Sequence, residues 1–345
     1  MNLKKTIIFI ILGIIIFTAA YIGYQYNSLY NQAIVKLNNK SSIEFYIPSG
    51  SDYDYVYNKL ISDKIIDNSE LFDNMSKIKS YTNIKAGRYI INNGATANEL
   101  INMLRSGNQK AVRVTFNNIR FLPKFAAKIS KSLELDSIEL LTLLSDKEFL
   151  SKIGYNQQTI LSLFLPNTYE MWWNTSAEGF VMRMKKEHDR FWNTERIAKA
   201  KKISLSPTQV ITLASIVQEE TNNTAEMSRI AGVYINRLKV GMRLQADPTA
   251  RYAYGDFSVK RVTYDYLKID SPYNTYMYKG LPPGPICMAN PITIDKVLNY
   301  ESHKYYYFCA KADNSGTHVF ARNLRQHNNN ANAYHRYLNR QRIYR

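Results

Sequence analysis

Apolar and polar residues recur along this chain with two different periods, and its first thirty residues follow neither. From Thr6 to Tyr24 the run TIIFIILGIIIFTAAYIGY carries no charge. A helix rising 1.5 Å per residue over that length just crosses a hydrocarbon core of ~30 Å, which predicts a transmembrane anchor over residues 6–24. A cleaved signal would have a shorter apolar centre and a small-residue cleavage site, of which Thr18-Ala19-Ala20 is a weak version, so an uncleaved anchor is the preferred reading. Residues 25–40 are polar with scattered tyrosines and suit a short stalk.

Beyond the stalk, strand-like and helix-like periods alternate. Residues 42–48 alternate as a strand and meet the turn Pro48-Ser49-Gly50. Residues 53–61 and 68–78 have helical spacing, 87–91 read as a second strand, and 96–104, closed by Gly107, as another helix. This predicts a small α+β module over 41–111. A larger α+β domain over 112–345 would follow, with a strand at 112–116, helices over 122–135 and 137–144, and an aromatic amphipathic helix near 176–193. Another helix runs from Met227 to Gly241. Six of the ten prolines fall between 242 and 291, predicting rigid loop there. A strand over 305–310 and a helix over 329–340 complete the pattern.

One helix carries chemistry. Ser206 can cap it, Pro207 suits its first turn, Gln209 completes a capping box, and Asn222-Asn223 ends it. At 3.6 residues per turn, Val210, Leu213, Ala214, Val217 and Glu220 share one face, and Glu219 points about 100° away. Glu220 is therefore expected among apolar neighbours, where a carboxyl resists ionisation and can serve as a general acid near neutral pH. The plainer alternative is a surface helix whose last turn happens to hold two glutamates.

Charge narrows the partners. The 345 residues are 45% hydrophobic, with a formal net charge of +17, an ordinary composition for a folded chain of one or two domains. Lys4 and Lys5 precede the apolar span, which places residues 1–5 in the cytoplasm and 30–345 outside. That topology argues against nucleic acid as the partner of the basic tail, where Arg322, Arg325, Arg336, Arg340, Arg342 and Arg345 follow Asp313 with no further acid. Membrane surface and wall polymers are the polyanions available there. His188, His303, His318, His327 and His335 form no H-E-x-x-H pattern and there is no paired-cysteine motif, so neither metal nor cofactor is expected. Cys287 and Cys309 permit one disulfide, with free thiols the simpler reading.

Several segments, in order, resemble a single family. They are Phe164-Leu-Pro-Asn-Thr-Tyr169, Leu213-Ala-Ser-Ile-Val-Gln-Glu-Glu-Thr221, Ile235-Asn-Arg-Leu238, Gly241-Met-Arg-Leu-Gln-Ala-Asp-Pro-Thr249 and Ser271-Pro-Tyr-Asn-Thr-Tyr276. Gly280-Leu-Pro-Pro-Gly-Pro-Ile286 with Asn290-Pro291, Tyr305-Tyr-Tyr-Phe308 and Gly316-Thr-His-Val-Phe320 complete the set. Together they resemble the endolytic murein transglycosylases of the YceG type, also called MltG-like, from the anchor to about residue 338. The resemblance implies a single-pass protein of the bacterial inner (cytoplasmic) membrane, with a LysM-like module near the membrane and a YceG-like catalytic domain beyond it. Such an enzyme cuts peptidoglycan strands internally, and the resemblance suggests work beside glycan polymerases such as penicillin-binding proteins, ending nascent strands.

In that family the catalytic residue is the glutamate directly before Thr or Ala in the ASIV-x-x-E motif, which is Glu220 here. Many relatives have a glutamate at the position of Gln218, so acid character at 218 is dispensable. Two departures stand out: Thr115-Phe-Asn-Asn-Ile119 replaces the usual Thr-x-Pro-Glu-Gly, and Leu161-Ser-Leu-Phe-Leu-Pro-Asn-Thr-Tyr169 replaces Glu-Gly-x-x-Phe-Pro-Asp-Thr-Tyr. Supporting carboxylates from those places are missing.

In a lytic transglycosylase the C6 hydroxyl of N-acetylmuramic acid is the nucleophile, so one Glu can act first as acid and then as base, leaving 1,6-anhydro ends. Gln245, Asp247, Asn274 and Tyr276 are candidates to bind sugar or stabilise the oxocarbenium-like centre. Asn236 and Arg237 could do the same or simply tie helix to loop. Two other readings stand beside this one: a muramidase that hydrolyses with water through Glu220 and Asp247, and a wall-binding scaffold without chemistry.

Overall fold

The computed structural model describes residues 3–257, 264–313 and 315–341, so Arg342 and Arg345 of the basic tail lie outside the described residues. The chain divides into two compact units, Met1–Val114 with Ser132–Glu134 and Glu170–Thr175, and the remainder.

In the first unit α1 (Leu3–Asn31) carries the apolar run, has no fully buried side chain, and is long and apolar enough to cross a membrane. It continues past the predicted end at Tyr24. The segment expected as a stalk is instead half helix and half core: Ile34, Val35 and Leu37 are buried, Ala33 bridges to Thr96, and Val35 bridges to Ile66. Three apolar side chains among polar neighbours are enough to draw this stretch out of water.

The strands β1 (Ser42–Ile47) and β2 (Gly87–Asn92) then pair antiparallel, from Ser42 opposite Asn92 to Ile47 opposite Gly87. Helices α2 (Tyr53–Ser62) and α3 (Ser69–Ile78) lie between them in sequence, and α4 (Ala97–Ser106) follows. Thr96 and Glu99 form a reciprocal capping box on α4, and Gly107 ends it in the left-handed conformation, φ 73°. Alternate strand residues Phe45, Ile47, Tyr89 and Ile91 meet Val56, Leu60, Phe72 and Met75 in one core.

Strand β3 (Val112–Phe116) pairs with β4 (Asn167–Met171). The second unit is mostly helical, with α5 (Leu122–Ile129), α6 (Ser137–Leu143), α7 (Lys147–Lys152), α8 (Ala177–Phe191) and α9 (Thr194–Lys202) leading to α10 (Pro207–Glu220). After it come α11 (Met227–Lys239), α12 (Asp247–Tyr254), α13 (Tyr264–Lys268), α14 (Pro291–Leu298), the hairpin of β5 (Tyr307–Ala310) and β6 (His318–Ala321), and α15 (Leu324–Arg340).

Helix α10 is the axis of this unit. Ser206 and Gln209 make the expected capping box, and every residue from Val210 through Gln218 is buried. The helix is thus apolar-packed all round, which excludes the surface-helix alternative and also exceeds the one-sided face that periodicity suggested. Its polar members are paired: Thr212 Oγ1 donates to the Thr208 carbonyl at 2.9 Å, and Ser215 Oγ donates to the Thr212 carbonyl at 2.7 Å while accepting from Ile286 N at 3.0 Å.

The proline-rich stretch is not all loop. Pro248 and Pro291 sit in the first turns of α12 and α14, where a missing N–H has no helical partner to lose. Close approach also fixes α11: a Cβ on Gly232 would overlap the carbonyl oxygen of Glu301. That contact holds the helix against the segment leading to β5.

Candidate functional site

A cavity of about 370 Å³ opens where α10 stops. Glu220 is the last residue of α10, and Thr221 turns the chain into extended conformation behind it. The carboxyl meets α11, whose Tyr234 Oη donates to Glu220 Oε1 at 2.5 Å. Glu220 stays partly open to the cavity, yet protein surrounds it closely enough that burial, before any other cause, pushes its pKa up to about 7. The negative charges of Asp247 and Glu219 push the same way. The Tyr234 hydrogen bond and the Arg237 charge oppose them. A carboxyl poised near 7 can give a proton and take one back.

Three of the predicted residues line the cavity around this acid besides Arg237. Gln245 does so from a left-handed backbone, φ 49°, held by its N–H to the Thr275 carbonyl at 3.1 Å. A non-glycine residue in that region is strained, and such strain concentrates at working sites. Asp247 opens α12, and Tyr276 Oη donates to its Oδ1. Burial raises the Tyr276 pKa, so its hydroxyl remains a donor.

Arg237 is both a wall of the cavity and a tie. Its Nε donates to the Tyr306 carbonyl at 2.7 Å and its Nη1 to the Leu244 carbonyl at 2.6 Å, while the guanidinium lies 5.3 Å from the Tyr307 ring centroid. Burial lowers its pKa, but a guanidinium remains charged in the working range. The site therefore holds a fixed cation near two carboxyl groups.

Two predicted binding residues are elsewhere. Asn274 is fully buried and does not reach the cavity. Its Nδ2 donates to the carbonyls of Leu267 at 3.1 Å and Ile269 at 2.9 Å, and its Oδ1 accepts from Tyr276 N at 3.1 Å. It shapes the loop that presents Tyr276, because an amide can satisfy carbonyls and an N–H at once. Asn236 likewise donates to the carbonyls of His303 at 2.8 Å and Tyr305 at 3.0 Å, which makes it the tie between helix and loop.

Tyr307, Phe308, His327 and Leu324, which sequence does not mark as site residues, complete the lining of the cavity. Tyr234 was hidden in the apolar stripe of α11, although a core tyrosine needs a partner for its hydroxyl. In sequence His327 is one of five scattered histidines with no metal-binding pattern. It stacks on Tyr307 with ring centroids 5.3 Å apart, its buried Nδ1 has no partner among the described residues, and burial lowers its pKa, which favours the neutral ring. Among the described residues no group of three or more His, Cys, Asp or Glu could hold a metal ion. Cys287 is buried, Cys309 is partly exposed, and both are free thiols.

Neighbouring polar groups brace the acid's helix. Glu219, beside Glu220 in sequence, accepts from Asn118 Nδ2 at 2.7 Å and pairs with Arg120, so Asn118 belongs to one of the departing segments and still touches this helix. Gln218 Oε1 accepts from Asn290 N at 2.7 Å and from Thr293 Oγ1 at 3.2 Å, and its Nε2 donates to the Met288 carbonyl at 3.2 Å.

Against known proteins, the family model described as YceG-like family matches residues 45–333. An endolytic murein transglycosylase of Bacillus subtilis (strain 168) is 31% identical over 312 residues, covering 85% of this chain and 85% of that protein. A protein with the same description from Streptococcus pneumoniae serotype 2 is 26% identical over 358 residues, covering 93% of this chain and 63% of that protein. Among solved structures, a yceG-like protein of Listeria monocytogenes superposes with a TM-score of 0.57 at 29% identity, covering 84% of this chain and 99% of that one.

Proposed function

The chain belongs to the YceG-like family, and from that premise we propose that it is a membrane-anchored lytic transglycosylase that cuts murein strands internally, with Glu220 as its single acid and base. The observation that carries this reading is the Glu220 carboxyl itself, desolvated at the end of α10 and brought to about 7 while facing a cavity of polar and aromatic groups. The relatives named endolytic murein transglycosylase supply the substrate class.

The chemistry needs few parts. Protonated Glu220 gives its proton to the bridging oxygen of the β-1,4 bond between N-acetylmuramic acid and N-acetylglucosamine, and the bond from that oxygen to C1 breaks. The glutamate, now charged, accepts the proton of the C6 hydroxyl as O6 bonds to C1 and closes the 1,6-anhydro ring. No water is consumed and the acid returns to its first state. Positive charge developing at C1 is stabilised by Asp247, which Tyr276 holds in place. Gln245, Tyr307 and Phe308, which line the cavity, serve as sugar contacts.

The rest of the chain fits the same task. We assign α1 as the anchor in the bacterial cytoplasmic membrane, with residues 1–5 inside and the remainder outside, on the strength of Lys4 and Lys5 before the span. Residues 41–111 are assigned as the LysM-like module, supported by the order strand, two helices, strand with the strands paired antiparallel. Residues 112–345 are assigned as the catalytic domain. Termination of nascent strands beside glycan polymerases is part of the same proposal.

Mass spectrometry of digested sacculi tests it. Released fragments are expected to end in 1,6-anhydro sugars, lighter by one water than reducing ends. Mainly reducing ends would establish the muramidase instead. Glu220→Gln is expected to lower activity by about 10²–10⁴-fold with the fold intact, whereas undiminished activity, or an inactive wild type, would leave a wall-binding scaffold.

A further inference from the structure

A groove of about 500 Å³ joins the outer end of α1 to α3, and it is lined by Tyr21, Ile22 and Leu29 from one helix and Leu71, Lys77 and Ile78 from the other. Helix α1 works as a depth gauge. With residues 6–24 filling the hydrocarbon, a rise of 1.5 Å per residue leaves Tyr21 and Ile22 within roughly the last 5 Å of the acyl-chain region. Ile78 lines the same groove, so the C-terminal tip of α3 lies beside the stretch of α1 from Tyr21 to Leu29, whose inner end is at the depth where chains give way to headgroups.

The tip has the chemistry of that boundary. Ile78 is 55% exposed to solvent rather than packed in the module's core. Basic residues stand beside it: Lys79 follows it and Arg105 Nη1 donates to the Lys79 carbonyl at 3.0 Å, while Lys77 before it is paired with Asp73 at 2.6 Å. Lys79 Nζ lies 6.0 Å from the ring centroid of Tyr30, beyond the apolar run of α1, as a long side chain would when it carries its charge outward to water. Leu29 and Tyr30 pack against the module's core, so α1 enters it as a continuous helix with no free linker between.

We propose that the tip of α3 is a second membrane contact, in which Ile78 enters the outer boundary of the acyl chains and Lys79 and Arg105 meet lipid phosphates. The proposal rests on the reading of α1 as the membrane anchor. Its occupant is the lipid of the bilayer that α1 crosses, chosen because the groove is continuous with the anchor and its rim is basic toward anionic headgroups.

Site-directed fluorescence tests it on the full chain. In a Cys309→Ser background, with Cys287 buried, an environment-sensitive label is placed by Ile14→Cys, Ile78→Cys or Asp54→Cys, and each protein is reconstituted in phosphatidylglycerol vesicles with or without chain-brominated lipid. The label at 78 is expected to be blue-shifted and quenched by bromines near the headgroup end. The label at 54 should be neither, and that at 14 should be quenched by deep bromines. A label at 78 that matches 54, while 14 is quenched, overturns the contact and leaves the anchor standing. No quenching at 14 refutes the anchor, and the contact falls with it. A shielded label at 78 whose shift follows protein-to-lipid ratio would mean a second copy covers the tip, which also overturns the proposal.

Discussion

Tyr234 Oη reaches Glu220 Oε1 at 2.5 Å, joining the middle of α11 to the last residue of α10. The bond favours the charged carboxylate, so it restrains a pKa that burial drives up to about 7. Tyr234→Phe removes that restraint while keeping the ring. The alkaline limb of the pH–rate profile, which reports loss of the protonated acid, is expected to move to higher pH. A limb that stays in place or moves down would show that Tyr234 does not govern this proton.

Asp247 acts with the opposite sign. Its charge pushes Glu220 up, so Asp247→Asn is expected to shift the same alkaline limb to lower pH. As a stabiliser of charge at C1, its loss should cost about 10²–10³-fold in kcat and leave anhydro products unchanged. Were Asp247 the base or nucleophile of a muramidase, the product ends would be reducing in the wild type and the variant would be inert.

Keeping an acid in this setting costs stability at alkaline pH. The folded pKa of about 7 lies above the ordinary 4.5, so the native state binds the extra proton. The stability associated with this group is therefore full below about 4.5 and lost as pH rises through about 7. Glu220→Gln cannot ionise and escapes that loss. Denaturant melts should show the variant gaining on the wild type between pH 4.5 and 8, by up to about 3 kcal/mol. An equal difference at both pH values would mean the carboxyl is not desolvated.

His327 lines the cavity with a buried Nδ1 that has no partner among the described residues. A substrate hydroxyl or amide is the natural group to satisfy it. His327→Ala is expected to raise KM about five- to tenfold, near the worth of one hydrogen bond, with kcat little changed. Loss of kcat at constant KM, measured on soluble glycan fragments, would place it in the chemical step instead.

How far the sequence reached depended on what kind of signal each residue emits. Helices α3, α4, α10 and α11 were legible from their apolar spacing, reinforced on α3, α4 and α10 by side-chain caps. Residues 33–37 were not, since a short segment that enters the core by isolated bridges has no period to read. Prolines between 242 and 291 pointed to loops, although two of them start helices, because a proline at the first helical turn looks the same in sequence as one in a rigid turn. At the site, Glu220, Arg237, Gln245, Asp247 and Tyr276 were brought to one cavity, while Asn236 and Asn274 turned inward to backbone carbonyls. An amide's type does not say which partners it will find, and the aromatic wall comes from residues about ninety positions after Glu220, a separation no local pattern spans.

Gln218 carries one last implication. Its amide uses the oxygen for Asn290 N and Thr293 Oγ1 and the nitrogen for the Met288 carbonyl, so the strand of chain leading into α14 hangs from α10 by a group that never ionises. A glutamate at this position could reach the Met288 carbonyl only by taking up a proton, and two acids one half-turn apart would then titrate together. With an amide instead, position 218 ties the loop to the helix without adding a titrating group two residues from Glu220.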